Sequence, residues 1–407
     1  MNYPKMRPVN AFPAKMSGQN VICLQDPFKY SPKAVFVPEP AFFIISLLDG
    51  NHSLPDIQEQ FMKRYGELLH TEQLEKVISD LDSAFFLDNE RFSDFKKDLE
   101  EEFEKMEIRK PHNNGISYNT APQKLKEELK GYLSFQDHAS PSSLKKKAKN
   151  IKGIISPHID FPRGKMCYGT VYNQIKDNTD TELFLIFGTS HLPTKNLFTL
   201  TRKSFETPMG IIDTDKDFID TLGKNYAGNL FEDELVHKTE HSIEFQVVFL
   251  KYLFNPKIKI VPILCGSFFE MSRNKTSPSS VPEFSDFIKA LKKTVSQYGK
   301  KVLMIAGADL AHIGPQFGDP DPVNPSTLQE LEKEDRAMLD FLKELKTEEF
   351  SRDIQKDNDR RHICGYPCIY TMLSAIKAKK GTLLKYEQTT DPQTHSTVSF
   401  ASMIFTG

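Results

Sequence analysis

The stretch "LFLIFGTSH", residues 183–191, sets five large apolar side chains in a row and then breaks at Gly188 into Thr189, Ser190 and His191. Such a run reads as a strand buried on both faces that stops at an edge furnished with polar groups. "KVLMIAGADLAH" at 301–312 and "IKIVPILCG" at 258–266 read the same way, and "GIISPHIDFPRG" at 153–164 ends a shorter apolar strand on Pro157 and His158. Helical patterns such as "SIEFQVVFLKYLF" and "FSDFIKALKKTVSQYG" lie between them. This alternation predicts an α/β domain around a central, mainly buried sheet.

A chain of 407 residues is long for one core, so two domains are expected, 1–108 and 109–407. The 53 Lys and Arg balance 55 Asp and Glu, leaving no general basic surface for nucleic acid or anionic lipid. No apolar run approaches the ~20 residues that span a bilayer, and "MNYPKMRPVNAFPAKM" lacks the apolar segment of a secretory signal. Five cysteines, an odd number, offer no disulfide framework. A cytoplasmic protein that binds neither nucleic acid nor membrane is expected.

In the first domain, "PEPAFFIISLLDG" predicts a buried helix closed by Gly50. "SLPDIQEQFMKRYG" places Ser53 as a cap, Pro55 in the first turn and Ile57, Phe61 and Tyr65 on one face. "HTEQLEKVISDLDSAFF" repeats Leu74, Val77, Ile78, Leu81 and Phe85. Three helices with short flanking strands suggest a winged-helix unit. Its third helix carries Glu72, Glu75, Asp80 and Asp82 against Lys76, which repels phosphate. The charged run at 93–110 reads as a solvated helix or linker, and "HASPSSLKKKAKN" at 138–150 as a polar connection.

Strand ends in the second domain supply a constellation. His158, His191, and Asp309 with His312 each follow an apolar strand, and the C-terminal edge of an α/β sheet brings such positions together. Imidazole and carboxylate at one edge suit a divalent first-row metal. In "HICGYPCIYTML", Cys364 precedes a predicted helix whose dipole would favour its thiolate, whereas Cys368, one turn on, reads as a packed core thiol.

Other chemistries fit less well. "HKTEH" at 237–241 matches the inverted zinc-peptidase pattern, but apolar helical periodicity starts only at Ile243 and leaves His237 upstream. Neither a phosphate-cradling glycine loop nor a GxSxG elbow occurs. A module that binds a metal or a protein partner without turnover is the alternative to an enzyme.

The motifs "ISPHIDFPRGKMCYG", "IFGTSH", "FETPMGIIDTD", "TEHSIEFQVVFLKYLF", "GADLAHIG" and "ICGYPCIYTML" resemble, in order and spacing, those of the Memo family, over about residues 111–407. That resemblance implies a fold like the class III extradiol dioxygenases, with iron(II) or copper and, less readily, zinc. It implies His158, His191 and Cys364 as metal ligands, His312 as the acid/base and Asp309 beside the metal. Glu240, His241 and Glu244 match a further polar cluster lining or backing the site. Where the family usually has His-Ala-Gly-Tyr, this chain has His158-Ile159-Asp160-Phe161, so Asp160 and Arg163 would add charges at the mouth. A thiolate in place of the dioxygenase carboxylate shifts preference toward softer redox ions such as copper(I).

Residues 40–92 resemble the PqqD-like peptide-holding modules, carried by "FFIISLLDGNHSLPDIQEQFMKRYG" and "VISDLDSAFFLDNERF". Both halves together are similar to the B component of AmmeMemoRadiSam systems. That similarity implies a radical SAM protein, an AMMECR-type protein and a peptide as partners.

Overall fold

The computed structural model describes residues 2–16, 18–31, 34–134, 148–178, 180–254 and 258–407, which form two compact units, 1–105 and 106–407. Most of the polar connection expected at 138–150 lies outside the described residues.

The first unit opens with an antiparallel sheet of β1 (Asn10–Met16), β2 (Gln19–Gln25) and β3 (Val35–Val37), in that order. Helices α1 (Glu39–Ser46), α2 (Leu54–Tyr65), α3 (Thr71–Ser83) and α4 (Glu90–Lys105) follow. α1 stops at Ser46, short of Gly50, and buries only Ile44 and Ile45, so it is less enclosed than its composition suggests. α2 starts as its sequence requires: Ser53 and Asp56 form a reciprocal capping box, and Gly66 closes the helix in the left-handed region. Leu24, Ile45, Ile57, Phe61, Leu74, Leu81 and Phe86 form the core. The charged run from residue 93 is helical as far as Lys105, as part of α4, which buries Phe92 and Phe103 on its otherwise charged surface.

The second unit is built on one mixed sheet, eleven-stranded among the described residues. Its strands and helices run β4 (Ile108–Arg109), α5 (Pro122–Ser134), β5 (Ile151–Ser156), α6 (Phe161–Ile175), β6 (Leu183–Thr189), β7 (Phe198–Leu200), β8 (Ser204–Thr207), β9 (Gly210–Thr214), α7 (Lys216–Asn225), α8 (Glu244–Leu253), β10 (Lys259–Cys265), α9 (Phe269–Arg273), α10 (Pro282–Tyr298), β11 (Val302–Gly307), β12 (His312–Ile313), α11 (Pro325–Lys343), α12 (Thr347–Gln355), α13 (Tyr366–Ala375), β13 (Lys380–Thr390) and β14 (Thr397–Thr406). The spatial order is β12-β14-β5-β11-β6-β10-β9-β8-β4, with β13 on β14 and β7 on β10.

β5, β11, β6 and β10 are parallel and central, while β14 joins β5 antiparallel and makes the sheet mixed. Their alternation explains the two helical layers. Leu183, Leu185 and Phe187 of β6 face the core shared with α7, α10, α11, α12 and α13, whereas Phe184 and Ile186 face that of α5, α6 and α8. At roughly 1.5–3 kcal/mol for each large aliphatic side chain withdrawn from water, these strands anchor the unit. Ser156 pairs with Gly307, and Gly307 with Gly188, so three strands end in register at one edge. No helix among the described residues is long and apolar enough to cross a membrane.

Candidate metal centre

The register sets the site. His158 lies two residues beyond β5, His191 two beyond β6 and Asp309 two beyond β11, all at the C-terminal edge. A fourth contributor comes from the segment before α8. A Cβ on Gly188 would stand 2.6 Å from Ser242 Oγ, and one on Gly307 would stand 2.5 Å from the Ser242 carbonyl oxygen. The two strand-end glycines thus leave room for residues 240–243 to lie on the sheet edge, which brings Glu240 and His241 to His191.

His158, His191 and His241 offer ligand atoms that all lie within 4.8 Å of one another. The His191 and His241 rings stack with centroids 4.6 Å apart, and His158 meets them edge-on at 5.0 and 5.3 Å. His158 Nδ1 lies 2.9 Å from the Gly307 carbonyl, to which it donates as the neutral ring, leaving Nε2 as the free lone pair. His191 Nδ1 lies 3.0 Å from Glu240 Oε1, which fixes the same tautomer. The His158 side chain is only 2% exposed, against 33% for His191 and 30% for His241, so the group opens on the side of the latter two.

Glu240 is the hub behind them. Its carboxylate accepts the backbone N–H groups of His191 (2.9 Å), His241 (2.8 Å) and Ser242 (3.0 Å) as well as the His191 ring. Burial alone would raise this carboxyl, but His191 and His241 together with these hydrogen bonds hold it well below the usual range.

Cys364 and Asp309 flank His158. Cys364 Sγ lies 3.3 Å from His158 Nε2. Asp309 Oδ1 accepts the His158 backbone N–H at 2.9 Å, and its other oxygen lies 3.7 Å from His158 Nε2. The expected helix-dipole effect on Cys364 does not prevail: burial, then the Asp309 charge, push its thiol well above the ordinary value. The helix starts beyond Gly365, and desolvation outweighs its partial charge. Cys368 is a buried core thiol, 3.1 Å from Thr189 Oγ1.

His312 borders the group. Its Nδ1 donates to the Leu310 carbonyl at 3.1 Å, its ring rests edge-on against Phe317, and burial pushes its pKa down to about 4. At neutral pH it presents an uncharged Nε2.

The remaining expected residues serve elsewhere. Asp160 caps α6, accepting the Arg163 N–H at 3.1 Å, and the two side chains pair with each other, so they form one ion pair and not two separate charges. Glu244 turns away from the histidines. It forms a buried ion pair with Arg109 and accepts Tyr118 Oη (2.5 Å) and the His112 and Asn113 N–H groups. Arg109, which no sequence motif marked, also donates to the His237 and Glu240 carbonyls and so clamps the segment carrying the hub. His237 is buried in a 3-10 turn (Glu234–Lys238), bonded to the Thr199 carbonyl at 3.0 Å. It shares no helix face with His241, which removes the peptidase geometry.

The family model for Memo-like proteins matches residues 109–404. A MEMO1 family protein of Aquifex aeolicus is 32% identical over 385 residues, 94% of this chain and 95% of its own. One from Thermus thermophilus is 24% identical over 353 residues, covering 86% of this chain and 98% of its own. A third, from Methanococcoides burtonii, is 29% identical over 266 residues, 63% of this chain and 87% of its own. The chain therefore belongs to the Memo-like protein family.

Proposed function

We propose that the second unit is a metal-dependent redox protein in which His158, His191 and His241 hold one iron(II) or copper ion and Cys364 joins them as a thiolate. The observation that carries this reading is the three-imidazole group, two of whose Nδ1 atoms are committed to a carbonyl and a carboxylate. Such backing orients ligand lone pairs and raises their basicity. Nitrogen and sulfur donors together suit iron, copper(I) and zinc and disfavour magnesium or calcium. Bound there, the ion would supply Lewis-acid and one-electron chemistry, and its charge would displace the proton that burial holds on Cys364.

The protein's own groups then divide the work. Asp309 adds negative charge next to His158, offsetting that of the ion. His312, neutral and adjacent, accepts or returns a substrate proton at Nε2. Substrate approaches from the more open His191 and His241 side. Cys364→Ala should lose bound metal while Cys368→Ala keeps it; equal retention in both would remove the thiol from the ligand set.

The resemblances extend the proposal. The second unit is read as class III extradiol dioxygenase-like, supported by a mixed sheet whose central strands are parallel and carry histidines at one strand-end edge. The first is read as a PqqD-like winged helix, supported by its three antiparallel strands and its helices. A radical SAM protein, an AMMECR-type protein and a peptide, in the cytoplasm, are the partners this reading assigns. Deleting residues 1–105 should abolish co-purification of such a partner and spare metal binding; unchanged co-purification rejects the assignment. A bound ion that never changes oxidation state would favour a binding module without turnover.

A further inference from the structure

Behind the site, and outside it, lies a buried ion network that the chemistry above does not use. Asp335 of α11 is 0% exposed. Its Oδ1 accepts Arg361 Nη1 at 2.9 Å, and its Oδ2 accepts Ser399 Oγ at 2.5 Å and Tyr386 Oη at 2.9 Å. Arg361 is also buried and reaches Asp353 Oδ2 at 3.0 Å.

What this network holds is specific. The Arg361 carbonyl accepts the His312 N–H at 2.8 Å. Ser399 Oγ accepts the Ala311 N–H at 3.0 Å, while the Ser399 backbone bonds Ala311 and Leu310 at 2.9 and 2.8 Å. The 309–312 and 361–365 segments are laced to each other as well, through Cys364 N–H to the Leu310 carbonyl (3.3 Å) and Gly365 N–H to the Asp309 carbonyl (3.1 Å). Each segment therefore reaches Asp335 through one side chain, Arg361 for one and Ser399 for the other.

We infer that Asp335 is a positioning residue for the metal site, fixing through Arg361 and Ser399 the two backbone segments that carry Asp309, His312 and Cys364. A buried ion network is a poor source of stability, since well-packed apolar side chains often match or exceed it. Its value is directional: it fixes donors and acceptors in one register. Here those groups lead into the two segments beside His158. The inference rests on the reading of Cys364 and His312 as site residues, and its experiment separates the two.

The experiment uses the full chain and three variants: Asp335→Asn, Ser399→Ala, and Asp215→Asn as a control. Asp215 is another buried carboxylate, 3% exposed, that caps α7 and accepts Tyr298 Oη at 3.0 Å, away from the histidines. In metal-free protein, alkylation of Cys364 by iodoacetamide, read peptide by peptide, should be several-fold faster in Asp335→Asn than in wild type or Asp215→Asn. With cobalt(II) as probe, Asp335→Asn should bind about tenfold more weakly or worse, the range expected for groups that support metal ligands. Its thiolate-to-cobalt absorption should shift, and the control should match wild type. Should Asp335→Asn fail to fold, Ser399→Ala keeps the Arg361 pair and should show both effects in milder form. Equal alkylation rates in Asp335→Asn and Asp215→Asn would overturn the inference whatever cobalt does. Faster alkylation with no thiolate absorption in wild type would sustain the positioning role and reject Cys364 as a ligand.

Discussion

Replacing Glu240 by glutamine keeps the size of the side chain and removes its charge, and the structure fixes what that must do. The carboxylate collects four donors from three residues: two from His191, one from His241 and one from Ser242. A glutamine offers one oxygen and one N–H₂, so one side of the cluster meets a donor where it had an acceptor. The less damaging orientation puts the amide nitrogen at the Oε2 position and strands the His191 N–H. Losing that bond and weakening the others, at roughly 1.5–3 kcal/mol for a charge-assisted hydrogen bond, predicts a loss of about 2–4 kcal/mol in urea unfolding. Affinity for iron or copper should fall about 10- to 100-fold in competitive titration, because the His191 tautomer is no longer enforced. The Glu240 carboxyl is held below its ordinary 4.5 in the folded chain, so its contribution is complete above that pH and fades as pH falls through the lower folded value. The gap between wild type and variant should therefore narrow on acidification. Unfolding free energies within about 0.5 kcal/mol of each other, the range of neutral surface changes, with equal metal affinity, would refute the hub.

Three further outcomes are expected. Gly307→Ala sets a Cβ against the Ser242 backbone oxygen and should destabilise by about 1–3 kcal/mol while weakening metal binding, measured by the same two titrations. Arg109→Met leaves Glu244 buried without its cation and should lower stability by about 3–5 kcal/mol; a loss under 1 kcal/mol would show that the clamp is dispensable. Burial pushes the His237 pKa down to about 3, so the folded chain resists a proton that the unfolded chain takes up near 6.5, and stability should decline as pH drops below that value. His237→Gln, still able to donate to the Thr199 carbonyl, should recover about 2 kcal/mol of the loss between pH 7 and pH 5.

Much of this was legible in the chain. The central strands declare themselves because a strand buried on both faces needs unbroken apolar residues, and β6, β10 and β11 have them. His158, His191, Asp309 and His312 followed from where β5, β6 and β11 stop. His241 was marked only by the family resemblance, as lining or backing the site, and its place among the imidazoles was not legible, because residues 239–242 carry neither helical nor strand periodicity. They reach the histidines because Gly188 and Gly307 lack side chains, a fact that shows only when three strands are set in register. Arg109 and Glu244 stand 135 residues apart, and nothing local links a basic residue on a two-residue strand to a helix start. Cys364 stands beside His158, and the burial that raises its thiol in the metal-free chain was not legible, since desolvation is a property of the packed site and leaves no mark in sequence.

The most direct test of the central claim is elemental analysis of the full chain purified without oxygen, alongside His158→Ala, His241→Ala and Cys364→Ala. The account predicts about one iron or copper per chain in wild type and a marked loss in each variant. Zinc as the sole metal, or wild-type protein free of metal, would contradict it.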